Sequence, residues 1–146
     1  MKTKLMTLIL CSFFAFPATA AFYDVREAIE KLQAAKVDSL VTVTEETKLS
    51  EDDMKAQDKA FAALEAAVAT AIKESGTDEL QDEIIKAAVV LLKKDPTQYA
   101  GEVILPLYEK NKKNFLNNLK KLSTSDAKLV EGAVKDAARQ KKIGDG

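Results

Sequence analysis

Six polar residues on one segment carry the clearest chemical signal in this chain. At helical spacing, Lys110, Lys113, Asn114, Asn117, Lys120 and Lys121 fall on one side of Leu107–Leu122. Tyr108, Phe115, Leu119 and Leu122 fall on the other. Such a cationic, amide-rich stripe can meet anionic lipid headgroups, an anionic polymer or an acidic protein. It competes with the plainer reading that a charged helix face is simply solvated. Lys112 is the odd member, since it projects on the apolar side and must snorkel outward or find an acid.

Two other groupings have chemical potential. Asp58 and Glu65 lie two helical turns apart on one face, so their backbones are separated by roughly 10 Å of rise. That is wide even for an inverting pair of glycosidase carboxylates, and acids beside an apolar stripe commonly form solvated edges. Tyr99, Glu102 and Tyr108 surround Gly101 and Pro106, where a broken helix would free backbone carbonyls and line a partner site.

Other chemistries are excluded by residue type. Beyond residue 20 there is no histidine, cysteine or tryptophan, which removes imidazole and thiol catalysis and zinc or haem sites built on those ligands. The glycines at 76, 101, 132, 144 and 146 are scattered and form no phosphate loop. No acidic loop follows the calcium-hand pattern. The sequence therefore assigns no catalytic residue, no metal ligand and no cofactor.

These groups must be positioned by helices. A first helix is expected from about Tyr23 to Val41, with Phe22, Val25, Ala28, Ile29, Leu32, Leu40 and Val43 near one face. Leu40–Thr44 is β-branched enough for an extended exit or a short strand, followed by a polar loop from Glu45 to Leu49. Ser50 with three following acids predicts a second helix running to Ser75 and ended by Gly76, its core stripe being Met54, Phe61, Leu64, Val68, Ala71 and Ile72. Asp78 and Gln81 form a capping pair for a third, to Lys94, apolar over more than half its circumference and hence central.

Asp95-Pro96 signals a restart, and Pro106 predicts a kink or break that Gly101 makes easier. Ser123 caps a last helix with Val130, Ala133, Val134 and Ala137 inward. The expected fold is all-α, a single compact bundle of four to five amphipathic helices.

The chain opens Met1-Lys2-Thr3-Lys4, is almost wholly apolar from Leu5 to Phe16, and reaches Ala18-Thr19-Ala20. That is a secretory signal peptide of residues 1–20, cut between Ala20 and Ala21, leaving 21–146 as one helical domain. The apolar run of about a dozen residues is too short to span a bilayer. Cys11 follows Leu10 rather than a small residue, which argues against a lipid anchor. The remaining chain carries 20 basic and 23 acidic residues, with no cysteine to form a disulfide. Residues 21–83 hold 16 acids and 7 bases, and residues 84–146 hold 7 acids and 13 bases.

An exported, helical, cysteine-free chain fits a bacterial periplasm or secreted fraction. The leading expectation is a non-enzymatic binding module acting on a protein partner, of the immunity, inhibitor or chaperone kind. The alternatives are an envelope-surface binder using the lysine stripe on anionic lipid or polymer, and a carboxylate-based cell-wall hydrolase. Nucleic acid is excluded as a partner, because arginine is scarce and the aromatics read as buried.

Overall fold

A computed structural model describes residues 16–34, 51–73, 78–94 and 97–145. The apolar run Leu5–Ala15 expected to belong to a signal peptide, Cys11, the segment Leu40–Thr44, the loop to Leu49, Ser50, Gly76 and Asp95-Pro96 lie outside the described residues. Six helices are present among those described: α1 Phe16–Ala34, α2 Glu51–Lys73, α3 Asp78–Lys94, α4 Tyr99–Lys110, α5 Lys112–Leu119 and α6 Thr124–Gly144. No strand occurs among them, and the all-α bundle is as expected.

α3 is the hub. Its eight apolar side chains Leu80, Ile84, Ile85, Ala87, Ala88, Val89, Leu91 and Leu92 are all buried, and it packs against each of the other five helices. This follows from a stripe too wide for one neighbour to cover. α1 and α2 lie on one side, α4, α5 and α6 on the other, and α2 also touches α4. Each fully buried leucine or isoleucine contributes roughly 1.5–3 kcal/mol of transfer free energy, so α3 is the main hydrophobic anchor.

α1 begins at Phe16, more than a turn before the expected Tyr23. The alanine-rich run Ala18–Ala21 favours helix, and proline is tolerated in a first turn. In α2 the burial starts only at Ala60, and Met54, expected in the core stripe, is 45% exposed. Leu64, Val68 and Ala71 are buried as expected, joined by Ala60 and Ala67.

The discontinuity between Tyr99 and Leu122 falls at Asn111, five residues beyond Pro106, and α4 continues through the proline. Pro106 and Glu102, whose carbonyl loses its helical donor, are both exposed, so solvent can satisfy that carbonyl. Asn111 leaves helical geometry at φ −151°, ψ 79°, and its N–H still donates to the Leu107 carbonyl. Its side-chain oxygen accepts from the Asn114 N–H at 3.0 Å. One residue therefore closes α4 and caps α5. Ser123 does the same for α6, accepting from the Asp126 N–H at 3.1 Å.

α4 starts at Tyr99 rather than at Pro96, behind Gln98 in the left-handed region at φ 58°, ψ 27°. Gly101 does not serve as a hinge. It sits in the first turn of α4 against α6, where an added Cβ would lie 2.8 Å from the Ala133 carbonyl oxygen and 2.9 Å from its Cβ. Its missing side chain is what lets the two helices touch.

Candidate functional site: a divided lysine stripe and the α4–α6 groove

The break at Asn111 divides the expected stripe, because Lys110 ends α4 and the other five residues belong to α5 and the turn after it. Lys110 reaches across to α2, where its Nζ donates to the Ile72 carbonyl. That carbonyl is in the last turn of α2, at the negative end of the helix dipole, where an ammonium is favourably placed. Lys121 donates to both carboxylate oxygens of Asp82 on α3, at 2.8 and 3.0 Å. Asn114 and the buried Asn118 each donate through Nδ2 to Gln81 Oε1 at 2.9 Å. Lys110, Asn114 and Lys121 thus fasten α4 and α5 to the bundle.

Lys113, Asn117 and Lys120 keep an outward course. Lys120 donates to Asn117 Oδ1 at 3.0 Å, a bond that leaves its charge uncompensated, and Lys113 has no ionic partner among the described residues. Lys112 lies over the Tyr108 ring, its Nζ 5.5 Å from the centroid, which answers the question of how a lysine is held on that side. Tyr108 in turn meets Phe115 edge-on at 5.5 Å.

Asp58 and Glu65 are not brought to a shared site. Both are exposed on α2, and Glu65 Oε1 accepts the Tyr99 hydroxyl at 3.0 Å. That hydrogen bond and the carboxylate charge push the Tyr99 hydroxyl above its ordinary range. Tyr99 also packs on Phe61, ring centroids 5.3 Å apart, and so ties the start of α4 to α2.

The Gly101–Pro106 region does border a groove. The groove lies between α4 and α6, beside the Gly101–Ala133 contact. There Thr97, Gln98 and Glu102 face Asp136, Arg139 and Gln140. The groove continues along the same helix pair over Leu105, Pro106 and Ala137 to Glu109 and Lys141. Its rim is polar and its floor apolar. Lys141 donates to Glu109 at 3.0 and 3.2 Å, and Arg139 meets Asp136 at 3.4 Å, whereas Glu102 has no ion pair among the described residues. Among the described residues no three carboxylates, histidines or cysteines converge to hold a metal.

Gln98, at the head of this groove, pays for a conformation that glycine adopts freely. Gln98→Gly is expected to raise stability by about 1 kcal/mol, checked by urea unfolding of the two proteins. An unchanged or lower midpoint would mean that the glutamine side chain offsets the strain.

Sequence reading missed Gln98, Asn111 and the amide cluster on Gln81. It also passed over Lys128, Lys135 and Lys142 on α6, whose seven-residue spacing places them on one face. No protein-family model matches the chain, and neither a curated protein nor a solved structure shows similarity to it.

Proposed function

We propose that the chain is an exported, non-enzymatic helical module that acts by holding a protein partner in the bacterial envelope, as an inhibitor or chaperone does. The observation that carries this reading is the α4–α6 groove. It combines an apolar floor, a polar rim on two parallel helices and a strained non-glycine residue at its head, and backbone strain of this kind tends to be kept where it serves recognition. A segment of a partner laid between α4 and α6 would bury Leu105, Pro106 and Ala137 and meet Glu102 and Gln140 at the rim.

The expected cut fits the burial of those α1 side chains that are described. Thr19 and Ala20 are exposed, whereas Ala21 and Val25 are buried. A cut between Ala20 and Ala21 would leave both core residues in the mature protein. No helix among the described residues is long and apolar enough to cross a membrane.

A photo-crosslinking residue at Gln140 should capture one defined protein species in intact cells, and the same residue at Lys86, on α3, should not. Glu102→Arg should abolish the capture while leaving the fold intact. Capture that is equal at both positions, or indifferent to Glu102→Arg, would remove the groove from consideration. The same preparation gives the N-terminus by intact mass, expected at Ala21.

A further inference from the structure

We infer that the segment held in the α4–α6 groove is a basic peptide whose arginine docks on Glu102. This rests on the reading of the groove as a partner site, and it names the chemistry of what the groove holds.

The charges along the groove do not balance. Its acids are Glu102 and Glu109 on α4 and Asp136 on α6, and its cations are Arg139 and Lys141, both on α6. Lys141 is engaged by Glu109 at 3.0 and 3.2 Å, and Arg139 by Asp136 at 3.4 Å. Glu102 is the acid left over, with no ion pair among the described residues. Together with Ala137 and Gln140 it borders both halves of the groove.

Pro106 adds a second acceptor at the same residue. The carbonyl of residue 102 would ordinarily take its hydrogen bond from the N–H of residue 106, and proline has none. Glu102 and Pro106 are both exposed and both line the groove. Residue 102 therefore presents a carboxylate without a matching cation and a backbone carbonyl without its helical N–H.

Two acceptors on one residue select a ligand with several donors and a positive charge. A guanidinium fits best, because its planar fork bonds a carboxylate bidentately and keeps further N–H groups for a carbonyl. A lysine ammonium is a strongly hydrated point charge and gains less from such an arrangement. The surplus acid disfavours a polyanion, and one free carboxylate is too few ligands for a metal ion. Beside this point Leu105, Pro106 and Ala137 form the apolar floor, so an aliphatic residue near the arginine completes the segment. From Gln98 to Glu109 α4 rises roughly 16 Å, room for about three turns of helix.

Selection of random peptides of about a dozen residues on the purified protein tests this with defined probes. Peptides that crosslink to a photoreactive residue at position 140 are expected to share an arginine with an aliphatic neighbour. With the tightest of them as probe, Glu102→Gln should weaken binding by about tenfold or more. Changing the peptide's arginine to glutamine should do the same. The two changes together should cost little more than either alone, because they break one contact. Pro106→Val returns an N–H to the helix and keeps apolar bulk on the floor. It should leave the melting temperature equal or higher and still weaken the peptide roughly threefold. Asp58→Asn, on α2, should change nothing.

Groove-binding peptides without arginine, additive losses in the double change, or a Pro106→Val protein that binds like the parent would overturn the inference. So would failure to select any peptide at the groove. Capture of a partner in cells is read separately. If it succeeds while the peptide test fails, the groove remains a partner site without this basic specificity. If it fails while arginine peptides bind as expected, the groove's chemistry stands and the envelope partner does not.

Discussion

Gly101→Val is expected to cost about 3 kcal/mol of stability, lowering the melting temperature by roughly 10 °C. A Cβ at residue 101 would lie 2.8 Å from the Ala133 carbonyl oxygen and 2.9 Å from both its carbonyl carbon and its Cβ. Two of those three atoms are backbone, so relief requires α4 and α6 to move apart as units and not one side chain to swing away. Moving them apart opens the contact that Ala100, Ile104 and Ala133, all buried, make around the crossing.

Gly101→Ala places the same Cβ and should be destabilising too, by about 1–2 kcal/mol. The intrinsic helix preference for alanine over glycine, about 1 kcal/mol, offsets part of the overlap. Gly132 supplies the opposite sign within α6, since nothing lies within 4 Å of a Cβ added there. Gly132→Ala should therefore stabilise by about 0.5–1 kcal/mol. Thermal unfolding of the three variants decides the matter. A stabilising Gly101→Ala would mean that the helices separate without penalty.

The contrast between these two glycines shows what was legible in the sequence. Both sit in helical segments, and nothing local distinguishes them, because the distinction lies in what another helix places 32 residues away. Local rules carried the apolar faces of α2, α3 and α6 and the cap of α6 at Ser123, whereas Asp78 is the first residue within α3 and Gln81 Oε1 accepts from Asn114 and Asn118. They failed at Asn111. An asparagine can cap a helix, but within Leu107–Leu122 the apolar period continues on both sides of it, and Pro106 is the louder local signal for a break. The proline is harmless because it lies on the solvent side of α4, a fact set by packing.

The candidate site was half legible for the same reason. A helical wheel places Lys110, Lys113, Asn114, Asn117, Lys120 and Lys121 together, and it treats them as equivalent. Tertiary structure then sorts them by what each can reach. Lys110 finds the Ile72 carbonyl in the last turn of α2, Lys121 finds Asp82, and Asn114 joins Asn118 on Gln81, partners 33 to 39 residues distant. Neutralising Lys110 or Lys121 would therefore touch the scaffold, and only Lys113 and Lys120 are clean probes of the surface. The lysines of α6 were equally readable at their spacing of seven.

Phe115→Ala should be the most damaging single truncation, costing about 3–5 kcal/mol. The ring is 2% exposed and is the largest of the fully buried side chains. It stands on a helix of only eight residues, too short to persist by itself in water, so α5 depends on what its apolar face buries. Phe115 and Leu119 are its two buried apolar residues, beside the amide of Asn118. Removing the ring leaves a cavity between α3, α4 and α5 and deletes the edge-on contact with Tyr108 at 5.5 Å.

Tyr108 would then lose a wall on the side away from Lys112, and the Gln81–Asn118 hydrogen bond would be opened to solvent. Against a total stability of about 5–15 kcal/mol, such a loss should populate a state in which α5 is detached even where the rest of the bundle survives. Hydrogen exchange separates the two cases. Amides of α5 should exchange far faster in Phe115→Ala, with α3 protected to a smaller but measurable degree. Unchanged protection of α5 would mean that its contacts with Gln81 and Asp82, rather than the aromatic core, hold it in place.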